Sequence, residues 1–338
     1  MASIPATRHV WRLIRHPEGD RFEEALRLEE EATPSLGEGE VAIRGEYLSL
    51  DAGTRMWMTP RTDGYQPPVP LGTPMPGLVL GRVIGSRSPA IPVGSLVRAF
   101  GQWSDISVVR PEASGLAVLD ETVADARQHL GVLGMNGWTA YVGITEAGRA
   151  RPGETVLVSA AAGATGMLAA QIARNMGCRV IGIAGGAEKC RVLTDDLGLD
   201  QAIDYKAQDV EAALAALPHG VDVYFDNVGG PLLDAVLPNM ALYGRIAVCG
   251  LVATYAETGA PRGPARFDQI LMKRLLVTGF FSPDFMHRGP EINRLMRGWL
   301  EAGRITLPFD ETQGLENLLT AYGKLFRGGN IGKTLVRL

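Results

Sequence analysis

The stretch that decides the fold runs Thr155-Val-Leu-Val-Ser-Ala-Ala-Ala-Gly-Ala-Thr-Gly-Met-Leu-Ala-Ala-Gln-Ile-Ala173. Its opening residues are apolar and largely β-branched, the mark of a buried strand. A turn of small residues follows. Beyond it apolar side chains recur at three- and four-residue steps, which predicts a helix over 166–176. The turn carries the G-x-G-x-x-G spacing as Ala161-x-Gly163-x-x-Gly166, with alanine in the first slot. Glycine at 163 lets the backbone approach a pyrophosphate, and glycine at 166 lets the helix lie close against the strand. The N–H groups and positive dipole end of that helix then face phosphate oxygens. Gly163, Ala164, Thr165 and Gly166 are therefore the expected pyrophosphate-binding turn, with a ligand-free tight turn as the bland alternative.

Outward from this turn, apolar strands are expected at 155–160, 179–184, 201–204, 221–226, 244–249 and 276–281, alternating with helical stretches. That rhythm is βαβ grammar and implies a parallel sheet. Most of these strands are too apolar to be half-exposed, as strands covered on both faces should be. Residues 1–125 read differently: short apolar runs such as 40–44, 78–84 and 95–100 lie between Gly- and Pro-rich turns, which implies a mostly β domain. A first strand is expected over 9–15. The chain closes on a strand at 332–338 with no helix after it, and that strand is expected to return to the first domain. The fold class is α/β, a doubly wound Rossmann sheet over 126–306 inserted into a mostly β domain made from 1–125 and 307–338.

The bulk properties agree with this and exclude other classes. A chain of 338 residues is long enough for two cores, and 46% hydrophobic with 21% charged residues is globular composition. No apolar run reaches eighteen residues, so no membrane span is expected. The N-terminal segment carries charges without an apolar h-region, so a cytoplasmic protein is expected. Net charge is −4 with the cations scattered, which argues against a nucleic-acid partner. The three cysteines form no C-x-x-C pair and the five histidines show no H-E-x-x-H spacing, so neither a disulfide framework nor a metal site is expected.

The second strand of the sheet speaks to the kind of dinucleotide. An NAD site usually has Asp or Glu about 20 residues beyond the glycines, where it holds the ribose 2′-OH. Here the strand ends in Gly185-Gly186, and Lys189 follows within a turn. A cation suits a 2′-phosphate, and Tyr205 after the third strand adds a hydroxyl. A solvated Glu188–Lys189 pair is the alternative. The expected cofactor is NADPH.

Longer segments carry a family resemblance. They are Leu133-Gly-Met-Asn-Gly-Trp-Thr-Ala-Tyr141, the 160–166 turn, Phe225-Asp-Asn-Val-Gly-Gly230, Gly244-Arg-Ile-Ala-Val-Cys-Gly250, Lys273-Arg-Leu-Leu-Val-Thr-Gly-Phe280 and Gly329-Asn-Ile-Gly-Lys333. The first domain matches more loosely, at Leu48-Ser-Leu-Asp-Ala-Gly-Thr-Arg55 and Tyr65-Gln-Pro-Pro-Val69. In family order, these resemble the zinc-independent medium-chain dehydrogenase/reductases, in the branch of prostaglandin reductases, leukotriene hydroxydehydrogenases, 2-alkenal reductases and curcumin reductases. The resemblance implies a GroES-like catalytic domain, a homodimer, NADPH as cofactor and no zinc. It places Lys189 and Tyr205 at the 2′-phosphate. It places Met135, Thr139, Asn227, Cys249, Gly250, Phe280, Phe281 and Asn330 around the nicotinamide ribose and ring.

The resemblance also implies a reaction, NADPH-dependent reduction of the carbon–carbon double bond of an α,β-unsaturated ketone or aldehyde. Charge then builds on the carbonyl oxygen, which needs a hydrogen-bond donor and no metal. Tyr255, in Gly250-Leu-Val-Ala-Thr-Tyr255, falls where the family has a tyrosine, and a phenol with its ordinary pKa of about 10 is protonated at neutral pH. Arg55 and Tyr65 are the substrate-side candidates, with an ion pair or a packed loop as the alternative for each. The chain departs from the family at Asn136, Trp138 and Ala52-Gly53-Thr54, near the expected substrate mouth. Two other readings stay open: an NADPH quinone oxidoreductase of the same superfamily, and a redox-silent NADPH-binding protein.

Overall fold

The computed structural model describes residues 4–257 and 262–338. The chain divides into two compact units. One comprises the chain up to Leu130 together with Phe309–Gly329 and Lys333–Leu338; the other comprises Gly131–Pro308 and Asn330–Gly332. These boundaries lie a few residues beyond the expected 125/126 and 306/307, and the C-terminal segment is divided rather than wholly part of the first unit. The cause is local. The Gly332 N–H donates to the Ala162 carbonyl at 2.8 Å and Gly332 pairs in parallel with Gly163, which joins Asn330–Gly332 to the second unit.

The first unit opens with an antiparallel ribbon of β1 (Thr7–Leu13) and β2 (Leu26–Ala32). There follow β3 (Val41–Ser49), the short helix α1 (Thr54–Trp57), β4 (Pro76–Ser86), β5 (Leu96–Gln102), β6 (Ile106–Val109) and β7 (Ala117–Val118). Burial alternates over the first half of β1, with His9 facing outward between the buried Arg8 and Val10.

The second unit is built on six strands, β8 (Thr155–Val158), β9 (Arg179–Ala184), β10 (Gln201–Asp204), β11 (Val221–Asp226), β12 (Met240–Val248) and β13 (Leu276–Gly279). All neighbours are parallel, in the order β10-β9-β8-β11-β12-β13. Counted within this sheet that is 3-2-1-4-5-6, the doubly wound order, whose direction reverses between β8 and β11. Helices α2 (Met135–Val142), α3 (Ala164–Asn175), α4 (Ala187–Arg191), α5 (Val210–Ala215), α6 (Gly230–Val236), α7 (Asp268–Lys273) and α8 (Gly289–Glu301) complete the unit. Val156, Leu157 and Val158 of β8 are fully buried, as a central parallel strand requires.

Several elements differ from their expected limits by a few residues, among them β1, β8, β13 and the C-terminal strand, and two show the cause. Helix α3 begins at Ala164 because the extended Gly163 precedes it. It ends at Asn175 because Gly177, at φ +85°, turns the chain and donates to the Arg174 carbonyl. Strand β12 begins at Met240, not 244. Tyr243 sits at φ +60°, so the ladder slips, and Val221 faces Met240 while Val223 faces Arg245.

The chain then re-enters the first unit through β14 (Phe309–Gln313), α9 (Leu318–Arg327) and β15 (Lys333–Arg337). Strand β15 pairs in parallel with β14 and antiparallel with β3, giving a sheet ordered β14-β15-β3-β4-β5-β7 with β6 beside β3. Tyr322 of α9 closes that unit's core, its ring 4.7 Å from Phe22 and 5.1 Å from Trp103.

Candidate active site

The turn after β8 has the shape the glycine spacing calls for. A Cβ at Gly166 would lie 2.3 Å from the Ala160 carbonyl oxygen, so only glycine lets α3 approach the strand this closely. Gly163 precedes the helix in an extended conformation, and no side chain caps it. The N–H groups of the first turn of α3 are thus the unpaired donors that every helix N-terminus carries. Thr165 is half-buried and its Oγ1 accepts a 3.0 Å hydrogen bond from Asn136 Nδ2.

At the reversal point the neighbouring strand β11 ends on a buried polar network. Asp226 Oδ1 accepts from Tyr224 Oη at 2.9 Å, Ser159 Oγ at 3.3 Å, and the N–H groups of Val228 and Gly229, each at 2.9 Å. Its carbonyl accepts from the Cys249 and Gly250 amides at 2.8 and 3.1 Å. Asn227 Nδ2 donates to the Ser159 carbonyl at 2.7 Å. One carboxylate therefore organises the chain on both sides of it, which is the physical content of the Phe225–Gly230 segment. Burial raises the Asp226 carboxyl above its ordinary value against those hydrogen bonds, and burial together with the nearby Asp226 charge raises the Tyr224 phenol. Ser159, Tyr224 and Asp226 escaped the sequence reading. Their only signal was polarity within or just after strands that are otherwise mostly apolar.

The corner where the sequence expects a 2′-phosphate is built by Asp204. Its Oδ1 accepts from the Gly186 amide at 2.8 Å and the Lys206 amide at 3.0 Å, and these two bonds hold its carboxyl below the usual range. Gly185 and Tyr205 are thereby brought together: a Cβ at Gly185 would meet the Tyr205 ring at 2.8 Å. The Tyr205 side chain is half-exposed above that glycine, and Lys189 follows in α4. No acidic side chain ends β9, whose last residue is Ala184. A glycine cradle with an exposed phenol and a nearby lysine fits a phosphorylated ribose.

The remaining candidates of this unit cluster on α2 and after β12 and β13. Thr139 Oγ1 donates to the Met135 carbonyl at 2.7 Å and lies 2.9 Å from Ser282 Oγ, which in turn lies 3.2 Å from Met135 Sδ. Ser282, buried and absent from the sequence reading, thus ties Met135 and Thr139 together. The Phe280 ring packs edge-on against Phe225 with centroids 6.2 Å apart, while Phe281 is exposed. Asn330 is buried, its Nδ2 donating to the Gly332 carbonyl at 3.3 Å. Trp138, one of the departures from the family, is satisfied by Asn293 Oδ1 at 2.6 Å.

Tyr255 stands just past a short turn after β12. Its hydroxyl oxygen accepts from the Leu251 amide at 3.1 Å, and a Cβ at Gly250 would lie 2.9 Å from that oxygen. Glycine at 250 is what leaves room for the phenol. Cys249 beside it is a partly buried free cysteine; burial of its thiol, helped by the Asp226 charge, pushes it up to about 12.

In the first unit the two substrate-side candidates have different surroundings. Arg55 is fully buried and donates to the Pro17 and Gly19 carbonyls at 2.9 and 3.2 Å, holding that loop. Tyr65 is 55% exposed, enough to meet a ligand. Among the described residues no three His, Cys, Asp or Glu side chains are grouped to hold a metal ion, and no helix is long and apolar enough to cross a membrane.

Comparison with known proteins identifies the family. The family model for the N-terminal domain of oxidoreductase matches residues 9–117, and that for zinc-binding dehydrogenase matches 164–297. The NADPH-dependent curcumin reductase of Escherichia coli (strain K12) is 40% identical over 334 residues, covering 97% of this chain and 96% of that protein. The 2-alkenal reductase (NADP(+)-dependent) of Nicotiana tabacum is 38% identical over 302 residues, covering 89% and 88%. The crystal structure of CurA from Vibrio vulnificus in complex with NADPH superposes with a TM-score of 0.91 at 38% identity, covering 97% of this chain and 98% of that one. A doubly wound sheet carrying the phosphate turn, joined to a GroES-like unit and matched along nearly its whole length, assigns this chain to the medium-chain dehydrogenase/reductases, in the branch of the curcumin and 2-alkenal reductases.

Proposed function

We propose that this protein is an NADPH-dependent reductase of the carbon–carbon double bond in α,β-unsaturated ketones and aldehydes. The observation that carries the reading is the reversal point of the sheet, where an uncapped helix start after β8 and the Asp226-organised turn after β11 come together. Relatives named for NADPH, curcumin and 2-alkenals support the cofactor and the substrate class.

When bound, NADPH supplies the hydride that adds to the β-carbon of the enone. The 163–166 turn holds the pyrophosphate, with Gly185, Lys189 and Tyr205 at the 2′-phosphate. Met135, Thr139, Asn227, Cys249, Gly250, Phe280, Phe281 and Asn330 bound the nicotinamide end, Cys249 through its backbone. Tyr255 donates its hydroxyl proton in a hydrogen bond to the carbonyl oxygen, where negative charge develops, so the site works with a phenol in place of a metal. The Leu251 amide steadies that phenol by donating to its oxygen. Tyr65 contributes on the substrate side, and Arg55 acts by holding the 17–19 loop.

The proposal includes a homodimer and a cytoplasmic location, the latter on composition alone. Leu276 and Val277 on the edge strand β13, with Leu242, Tyr243, Leu271 and Met272, leave large apolar side chains exposed, and a second copy would cover them. Sedimentation equilibrium giving a monomer at micromolar concentration would remove that part.

The decisive experiment follows the NADPH absorbance band with a panel of enals, enones and quinones. Turnover of enones with NADPH in preference to NADH is expected. Quinone turnover alone would make the protein a quinone oxidoreductase, and binding without any turnover would make it redox-silent.

A further inference from the structure

We propose that Asn136 is a positioning residue for the phosphate turn: its side-chain amide holds the Thr165 hydroxyl so that the Thr165 proton points outward to a pyrophosphate oxygen. The inference rests on the cofactor reading above. Asn136 is the second residue of α2 and Thr165 the second residue of α3, and Asn136 Nδ2 donates to Thr165 Oγ1 at 3.0 Å. An amide NH2 in this contact can only donate, so the hydroxyl accepts and keeps its single proton for another partner.

Helical threonines ordinarily turn that proton back onto the carbonyl four residues earlier. Thr139 does so to Met135 and Thr145 to Tyr141, at 2.7 and 2.8 Å. Thr165 does not: its position in the first turn of α3 puts the fourth residue back, Ala161, before the helix. Thr165 instead stands half-buried in the first turn of α3, a helix start no side chain caps. A phosphate oxygen is purely an acceptor. Asn136 thereby adds one oriented O–H donor to the backbone donors of the turn.

The test is calorimetric binding of NADPH, and separately of adenosine 2′-monophosphate, which lacks the pyrophosphate. Asn136→Ala is expected to weaken NADPH about 5-fold, the scale of one hydrogen bond, and to leave adenosine 2′-monophosphate unchanged. Asn136→Asp is expected to weaken NADPH further, because a carboxylate accepts the Thr165 proton and brings negative charge to the turn. In a Thr165→Val background, Asn136→Ala should have no added effect. Equal losses for both ligands, no loss for NADPH, or an undiminished effect in the Thr165→Val background would each overturn the inference. A wild-type protein that binds adenosine 2′-monophosphate but not NADPH, or neither, would overturn the cofactor reading itself.

Discussion

Lys333 Nζ lies 2.6 Å from Asp51 Oδ1, a pair that joins the C-terminal strand β15 to the end of β3 across 282 residues of sequence. The two partners are unequally placed. The Lys333 side chain is 1% exposed and also donates to the Leu50 carbonyl at 3.1 Å, whereas Asp51 is 44% exposed and accepts from Ser49 Oγ at 2.7 Å. Removing the carboxylate strands an enclosed ammonium, but removing the ammonium leaves a carboxylate that water can still reach. Asp51→Ala is therefore expected to cost about 3 kcal/mol of stability and Lys333→Met about 1 kcal/mol. Urea denaturation of both variants measures the difference; equal costs would contradict the asymmetry.

For Tyr255, losing the hydroxyl should act on the chemical step. Tyr255→Phe is expected to lower kcat for an enone on the order of 100-fold while NADPH affinity stays within about 2-fold, the scale of one lost oxyanion donor. Gly250→Ala should move kcat the same way, since the added carbon lies 2.9 Å from the phenol oxygen. Steady-state kinetics with calorimetric NADPH binding reads both; an unchanged kcat in Tyr255→Phe would exclude this phenol from the reaction.

The cysteines make a pH prediction. Burial, with the Glu154 charge next, pushes the Cys178 thiol up to about 11, and burial with the Asp226 charge pushes Cys249 up to about 12. Their ordinary value is 9.0, so the unfolded chain ionises them first. The stability gained from keeping them neutral is complete below pH 9 and is lost as pH rises through about 11 for Cys178 and about 12 for Cys249. Two consequences are measurable. Alkaline destabilisation above pH 9 should be shallower in Cys249→Ala. Native Cys178 should also react with iodoacetamide at pH 8 roughly 100-fold, and Cys249 roughly 1,000-fold, more slowly than a free thiol, by mass spectrometry. That inertness suits a protein proposed to handle electrophilic enones. Labelling at free-thiol rates would contradict the burial argument.

The division between what was legible and what was not follows the range of the forces involved. Strands 179–184, 201–204 and 221–226 coincide with β9, β10 and β11, and the turn at 163–166 lies where its spacing placed it. Periodicity, β-branching and glycine spacing act over a few residues, so one strand–turn–helix unit carries its own signal. The missing acid after β9 was equally local, being an absence at a defined position. What eluded the reading was every side chain whose role depends on a partner far away. Ser159 and Asp226 meet only because β8 and β11 are neighbours in the sheet although 67 residues separate them. Asp204 organises Gly186 because β10 lies beside β9, and Ser282 reaches Met135 across 147 residues.

By itself the sequence determined the central strands of the βαβ series, the strand–turn–helix unit around Gly163 and the class of nucleotide, because each is written in contiguous residues. Only the tertiary structure decided that the strands order as β10-β9-β8-β11-β12-β13, that Asn136 grips Thr165, and that Arg55 is enclosed while Tyr65 is open. Strand order and side-chain partnership arise from long-range burial and pairing, whose free energy depends on the whole assembled chain and leaves no period along it.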